Sequence, residues 1–290
     1  MLEWFHAHSN LQTGAIVLFV GLLVTTVVPY MVRRRFGLHP SEHFARGAEE
    51  SFKLFSSLTL LLLAFCLVRM QGDHRSAEDF VEREGAVMVK LDRGYEAFGG
   101  DIGQKLRAGL KQYAQLVVSD EWPVLDGGGR SDKADLELTR LAAQSKDLSP
   151  ETPAELVVRT EIIQSFNQMS DLREARIGAA RLHLPDYYWY AIATALFFFT
   201  LFAWVLNPLP RMVAYVGGAT CGLGLLLTLL ITTSGIFVGE SAVTPEPIEQ
   251  AIAQFDRTPH LAPPPKPAAA AAPVPAMGAA PAAAAPAVTR

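Results

Sequence analysis

Four long apolar segments constrain this chain more than any other feature. They cover 11–32, 52–70, 187–206 and 212–238, and charged side chains occur only near the ends of the second segment. Each segment has about the length of a helix that crosses a hydrocarbon core of roughly 30 Å. Because backbone polar groups in lipid must be satisfied within the segment, we expect all four to be helices. The chain is therefore predicted to be an all-α, polytopic membrane protein with four transmembrane helices.

The order of the segments predicts two transmembrane hairpins around an inserted helical module. The hairpins comprise residues 11–70 and 186–239, and the module comprises residues 71–185, between the second and third spans. Within 72–184 there are 15 Lys and Arg against 20 Asp and Glu, a net charge of −5. This balance argues against a nucleic-acid partner, which would require a basic face.

The two ends of the chain differ in composition from the spans and the module. Residues 1–10 are predicted to lie at the membrane interface, a position that suits an aromatic side chain such as Trp4. Residues 240–256 form a C-terminal flank. The tail at 257–290 is nearly all Ala and Pro, and we predict it to be disordered because it can bury little apolar area.

Capping signals divide the module into roughly four helices. Asp101, with a glutamine three residues later, has the spacing of a capping box that opens a helix. Ser131 is predicted to cap the next helix. Thr152 begins a second capping box and is followed by Pro153, which is favoured at the first helical position. The second and third spans are expected to continue into these helices.

Three arginines approach the third span from the module side. Arg173 and Arg176 are three residues apart and share a helix face, and Arg181 follows. Two interpretations stay open. The arginines attract anions or lipid headgroups near the membrane, or they form a solvated face paired with Asp171 and Glu174.

The fourth span is rich in small and hydroxyl-bearing residues. Gly218 and Gly222 form a GxxxG match, which favours close packing of helices. Alternatively, Thr228 and Thr232 line a permeation path. The sequence thus leaves two interpretations of the fourth span open: a surface for close helix packing, or part of a pore wall.

No pattern in the chain indicates catalysis, a cofactor or a metal. His39 and His43 are four residues apart, but Pro40 intervenes and no carboxylate completes a zinc motif. There is no arrangement of nucleophile and base and no dinucleotide-binding loop. We therefore predict that the protein is not an enzyme and needs no cofactor. The near absence of charge within the spans also argues against a proton-coupled transporter.

Three stretches, at 47–52, 110–123 and 235–248, resemble the bacterial bestrophin-like membrane proteins. The most specific part is a Tyr…Glu-Trp-Pro pattern. Its members are Tyr113, Glu121, Trp122 and Pro123. Glu121 is interpreted either as a gate or ion ligand, or as the partner of a neighbouring arginine beside a packed Trp122. The resemblance implies two membrane hairpins around a helical insert, in the bacterial cytoplasmic membrane. It also implies kinship with bestrophins, which are pentameric anion channels with a cytosolic helical body.

The charges of the loops give a different indication of sidedness. The short segment 33–53 has five basic residues, which favours its placement inside and the module outside. Arginines near the other ends of the spans, including Arg69 and Arg181, favour the reverse. The balance leans slightly towards an extracytoplasmic module.

Two functional hypotheses follow from the sequence. The first is a homo-oligomeric channel for small anions in the lipid bilayer. It is based on the two-hairpin layout, the small-residue fourth span and the basic approach to the third. The second is a membrane-anchored sensor or scaffold whose helical module binds a partner.

Overall fold

The computed structural model describes residues 10–36, 42–182, 184–206 and 210–257. Every regular element within these ranges is helical. The helices are α1 (Asn10–Leu22), α2 (Val28–Phe36), α3 (Glu42–Phe98), α4 (Gly100–Leu116), α5 (Asp132–Lys146), α6 (Pro153–Ala180), α7 (Asp186–Leu206), α8 (Pro210–Thr233) and α9 (Glu246–Phe255). A π-helical turn, Leu23–Val27, joins α1 to α2. A second π-helical turn, Val117–Glu121, and a 3-10 helix, Trp122–Gly127, follow α4.

Four of the helical stretches are long and apolar enough to cross a membrane, as the sequence predicts. They are Asn10–Phe36, Arg46–Phe98, Asp186–Leu206 and Met212–Thr233. The first span packs along the fourth, and α3 packs against both α7 and α8. The division into two hairpins around an inserted module stays a prediction.

The π-helical turn in the first span is a consequence of Pro29. In a π-helix, the N–H of each residue donates to the carbonyl five residues earlier. Pro29 has no backbone N–H, so the carbonyl of Val24 receives no hydrogen bond from it and needs another donor. The indole N–H of Trp204, on α7, donates to this oxygen at 2.8 Å. A neighbouring span thereby satisfies the polar group that proline leaves open in lipid.

Two contacts fix the relative directions of the spans. The backbone N–H of Asn10 donates to Oε2 of Glu240 at 3.1 Å, so the start of the first span lies beside the end of the fourth. At the opposite end, the Arg33 guanidinium donates to the carbonyl of Val205 at 2.7 Å, at the end of the third span. The module therefore lies on the same side as residue 10.

The second span continues without a break into the module, as expected, because α3 runs over 57 residues. The third span does not continue from α6, since the two are separated by residues 181–185. Two apolar cores result, one between the spans and one in the module. The module core is built from α3, α4, α5 and α6 together with α9.

Helix α9 belongs to the C-terminal flank and packs on the module. Ile248, Ala251 and Phe255 are buried there against α3 and α4. The close approach requires a glycine on α3, because a Cβ at Gly85 would lie 2.7 Å from the carbonyl oxygen of Pro247. The flank therefore contributes a fifth helix to the module.

Two of the three predicted helix caps are confirmed. Ser131 accepts from the N–H of Ala134 at 3.3 Å, and Thr152 accepts from the N–H of Glu155 at 3.2 Å. The capping box at Asp101 is wrong. The N-cap of helix α4 is Gly99 at φ 72°, two residues before Asp101, and no side chain caps the helix.

The reason is the tight reversal between α3 and α4. Both Gly99 and Gly100 adopt positive φ, which only glycine does without strain. Asp101 then lies inside the first turn of α4 rather than at its cap. Several predicted features, namely the interfacial N-terminus before residue 10, His39 and the tail after residue 257, lie outside the described residues.

A buried charge cluster in the helical module

Glu121 lies at the centre of a charged cluster inside the module. It ends the π-helical turn Val117–Glu121, and the following Trp122-Pro123 begins the 3-10 helix. Pro123 cannot continue the hydrogen-bond ladder, so the chain turns here. The turn places the Glu121 carboxylate in the core, where it has no exposed surface.

Two arginines of α6 bind this carboxylate from the same helix face. Arg173 donates through Nε to Oε1 of Glu121 at 3.2 Å and through Nη2 to Oε2. Arg176 donates through Nη2 to Oε1 of Glu121 at 2.7 Å. Such bidentate and shared contacts hold both guanidiniums in fixed orientations.

Two further carboxylates complete the cluster. Glu84, on α3, accepts from Nε of Arg176 at 2.7 Å and from Nη2 at 3.3 Å. Asp135, on α5, pairs with Nη1 of Arg173 at the edge of the cluster. Glu84, Glu121 and the two arginines are almost entirely buried, whereas the side chain of Asp135 is partly exposed. The cluster thus joins α3, α5, α6 and the turn after α4.

Charge is balanced inside the cluster, with two buried carboxylates against two buried guanidiniums. Burial alone would raise the pKa of Glu121, but the hydrogen bond from Arg173 and the charges of Arg176 and Arg173 outweigh it and lower the pKa. For the same reason the pKa of each arginine is raised despite burial. Glu121 and both arginines are therefore charged at neutral pH.

Tyr113 packs within the core beside the cluster, but its hydroxyl has no hydrogen-bond partner among the described residues. Burial raises its pKa well above 10, and the charge of Glu84 adds to this effect. Nη1 of Arg176 is likewise buried and unpartnered in the described part of the chain. Arg176 gains a further contact, since its guanidinium lies 5.3 Å from the ring centroid of Trp122.

The structure therefore brings the Tyr…Glu-Trp-Pro pattern together at one place. Trp122 also packs edge-on against Phe237, with ring centroids 5.5 Å apart. Phe237 follows the fourth span, so the pattern connects the module core to the membrane end of that span. The prediction that Glu121 pairs with a neighbouring arginine beside a packed Trp122 is confirmed.

The interpretation of Arg173 and Arg176 as a solvated face is wrong. Both are buried, and their carboxylate partners come from other elements of the fold. Glu174 instead pairs with Arg130 at the surface. Arg181 differs from the other two arginines, because it is exposed and donates to the carbonyl of Gly128.

The threonines proposed for the fourth span lie near the module end of α8. Thr228 is buried, donates to the carbonyl of Gly224 at 2.8 Å and lies close to Gly14 of the first span. Thr232 is partly buried and donates to the carbonyl of Leu229 at 3.2 Å. The pore role of both residues stays a prediction.

A helix seam does follow the fourth span, on a different face from the GxxxG match. A Cβ at Gly224 would lie 2.8 Å from the Leu18 side chain of the first span. The hydroxyls of Thr25 and Thr220 meet across the same seam at 2.9 Å. Gly218 and Gly222, by contrast, are exposed, and a Cβ there would contact nothing within 4 Å.

Sequence reasoning missed Glu84 and Asp135, and for Glu84 a signal was present. On α3 the buried residues Ala77, Val81, Met88 and Leu91 recur at helical spacing, and Glu84 occupies the same stripe. A carboxylate within an apolar stripe indicates a buried partner. Asp135 has no comparable signal, because it lies among other charged residues at the start of α5.

No group of metal-binding side chains occurs among the described residues. Among the described residues of the module, this carboxylate–guanidinium cluster is buried more completely than the neighbouring pair of Arg107 and Asp92. Its charges satisfy one another, so it can hold helices in register without a bound ion.

The chain belongs to the Bestrophin-like family, whose domain it matches over residues 18–248. Its fold is similar to crystal structures of a bacterial bestrophin homolog from Klebsiella pneumoniae. One variant of that protein matches with 13% identity and a TM-score of 0.60, covering 84% of this chain and 98% of the other. A second variant matches with 12% identity and a TM-score of 0.61 at the same coverage. A structure of the homolog phased on zinc gives 12% identity and a TM-score of 0.59, covering 84% and 96%. No curated protein matches the chain.

Proposed function

We propose that this protein is a homo-oligomeric channel for small anions. The observation that carries the proposal is membership of the Bestrophin-like family across residues 18–248. The fold supports it, because the likeness to the bacterial bestrophin homolog extends over 84% of this chain and 98% of the other.

The exposed apolar face of the second span supports assembly into an oligomer. Several large side chains on one face of α3 are exposed in one protomer. They are Leu54, Leu61 and Val68. In a closed assembly, such a face can line a hydrophobic constriction or pack against the next protomer.

The buried cluster narrows the choice of residues that attract anions. Arg173 and Arg176 are already neutralised by Glu84 and Glu121. An anion that approached them would have to displace a carboxylate, so we assign them a structural role in the channel. Arg181 is exposed near the membrane, and we propose that it attracts anions. We keep Thr232 as a candidate for the pore wall.

The experiment is to reconstitute the purified full-length protein in planar bilayers under a salt gradient. We expect unitary currents whose reversal potential shows a preference for chloride over potassium. Arg181→Gln should reduce this preference. Arg140→Gln, which removes another exposed arginine, paired with Glu137 on α5, should leave it unchanged. Silent bilayers from an intact oligomer would refute the channel and favour a module that binds a partner.

We also propose that the channel lies in the bacterial cytoplasmic membrane as a multi-pass protein. Loop charges favour an extracytoplasmic module, whereas the family resemblance implies a cytosolic one. Ser149 lies at the exposed end of the module between α5 and α6. A cysteine placed there should react with a membrane-impermeant maleimide on intact cells if the module is outside, and only after lysis if it is inside.

A further inference from the structure

An open groove follows the surface between the second and third spans. It has a volume of about 520 Å³ and is almost wholly apolar. The lining residues are Phe55, Leu58 and Leu62 of α3 with Tyr190, Ala191 and Thr194 of α7. The stacked rings of Phe55 and Phe198, with centroids 4.9 Å apart, lie at the end of the groove that is farther from the module. The groove therefore lies within the part of the fold that faces hydrocarbon.

The same stripe of α3 continues from the groove to a basic residue. Positions 55, 58, 62, 65 and 69 follow one another at three- and four-residue steps and share one helix face. At about 1.5 Å per residue, Arg69 lies roughly 21 Å from Phe55 along the helix axis. Half of the hydrocarbon core is roughly 15 Å thick, so the part of α3 that lines the groove, from Leu62 to Phe55, lies about 10–21 Å from Arg69 and crosses the membrane centre.

Arg69 and two tyrosines of α7 lie on the module side of the groove, about 10 Å beyond Leu62 along α3, and we call these residues the polar mouth. The Arg69 guanidinium donates to the hydroxyl of Tyr188 at 3.3 Å and lies 5.5 Å from the centroid of its ring. The ring of Tyr187 lies 4.5 Å from that of Tyr188. Among the described residues, no carboxylate pairs with Arg69, whereas most arginines of the module have such a partner.

We propose that this groove is a binding site for an anionic phospholipid. The phosphate binds Arg69 and the tyrosine hydroxyls at the mouth, and one acyl chain fills the groove as far as Phe55. Basic residues at the membrane end of a groove between spans suit anionic headgroups, and tyrosines suit the same depth. The proposal is independent of the channel activity.

The size of the groove and the unpaired charge beside it favour a lipid. The groove offers about 520 Å³, which is in the range of a single small ligand. Because no carboxylate among the described residues pairs with Arg69, its guanidinium favours an anionic occupant over an apolar helix face.

The test is native mass spectrometry of the full-length protein in detergent. The lipids are phosphatidylglycerol and phosphatidylethanolamine with identical acyl chains. We expect tighter binding of phosphatidylglycerol, and Arg69→Gln should weaken it about fivefold, the equivalent of about 1 kcal/mol for one basic residue at a lipid surface. Ala191→Phe, which fills the groove, should weaken the binding of both lipids.

Arg75→Gln is the matched control. Arg75 is an exposed arginine on the same helix, and its position points to a different face. This variant should bind phosphatidylglycerol as the wild type does. Equal binding of the two lipids, or equal loss in the two arginine variants, would overturn the proposal. Cross-linking of Thr194→Cys to a second copy in membranes would overturn it too, because the groove would then hold protein. None of these results depends on whether the protein conducts.

Discussion

Replacing Glu121 by glutamine tests whether the buried cluster holds the module together. Glutamine has nearly the same shape as glutamate, so the substitution creates no cavity. It removes one negative charge from between Arg173 and Arg176, which are fixed at 3.2 Å and 2.7 Å from the carboxylate. It also places an amide N–H₂ group opposite a guanidinium, where donor faces donor.

The expected loss follows from what remains after the change. Arg176 keeps Glu84, but Arg173 keeps only Asp135, which is partly exposed to solvent. Removing one member of a buried ion pair typically costs about 3–5 kcal/mol, because the other charge stays buried without compensation. For a protein of this size, each kcal/mol lowers the unfolding temperature by about 2–4 °C. The midpoint should therefore fall by roughly 6 °C or more.

The assay is thermal unfolding of the full-length protein in detergent, followed by circular dichroism. Glu174→Gln supplies the control with the same chemical change. Its partner is Arg130, and both side chains are substantially exposed, at 53% and 38%. An exposed ion pair contributes only about 0–1 kcal/mol, so this variant should unfold close to the wild type.

Equal midpoints for the two variants would refute the reasoning. They would mean that the arginines find water or other acceptors when Glu121 loses its charge, so that the cluster is not the main support of the module. A loss in Glu121→Gln that Arg173→Met restores would instead identify the uncompensated guanidinium as the cause.

Three further predictions follow from single contacts. Tyr113→Phe removes an unpartnered buried hydroxyl and should leave the unfolding midpoint unchanged or raise it, whereas Tyr95→Phe breaks a 2.8 Å hydrogen bond and should cost about 1 kcal/mol. Gly85→Ala should displace α9 and expose it to limited proteolysis, while Gly72→Ala on the same helix, with open space around it, should not. The pKa of Glu121 is lowered in the folded protein. Its contribution to stability is therefore fully present above about pH 4.5, the usual pKa of a glutamate, and is lost as the pH falls below that value. The unfolding midpoint of the wild type should therefore drop more steeply in acid than that of Glu121→Gln.

The membrane part of the fold could be predicted from hydropathy because lipid permits few solutions. The four apolar segments correspond to helices that are long enough to span a bilayer. Local capping at Ser131 and Thr152 was equally readable, since each cap depends on residues three positions apart. The start of α4 could not be predicted in this way, because the positive φ of Gly99 and Gly100 determines it. A pair of glycines in a sequence does not indicate one particular backbone conformation.

The buried cluster was only partly predictable. The sequence supplied the Glu-Trp-Pro turn and a nearby arginine, and it favoured an ion pair between them. It also placed Arg173 and Arg176 on one helix face, but a shared face does not say whether it points to water or to the core. That depends on Glu84, which is 92 residues away in sequence from Arg176. Contacts of that separation are set by the packing of helices and not by any local pattern.

The unbroken helix α3 transmits a change in tilt within the bilayer directly to the module. At about 1.5 Å per residue, the part beyond Met70 projects roughly 42 Å. Helices respond to changes in bilayer thickness by tilting, and a tilt of about 10° would swing Phe98 through roughly 7 Å. Because no loop interrupts α3, a change in the thickness of the surrounding bilayer would displace the end of this helix at Phe98.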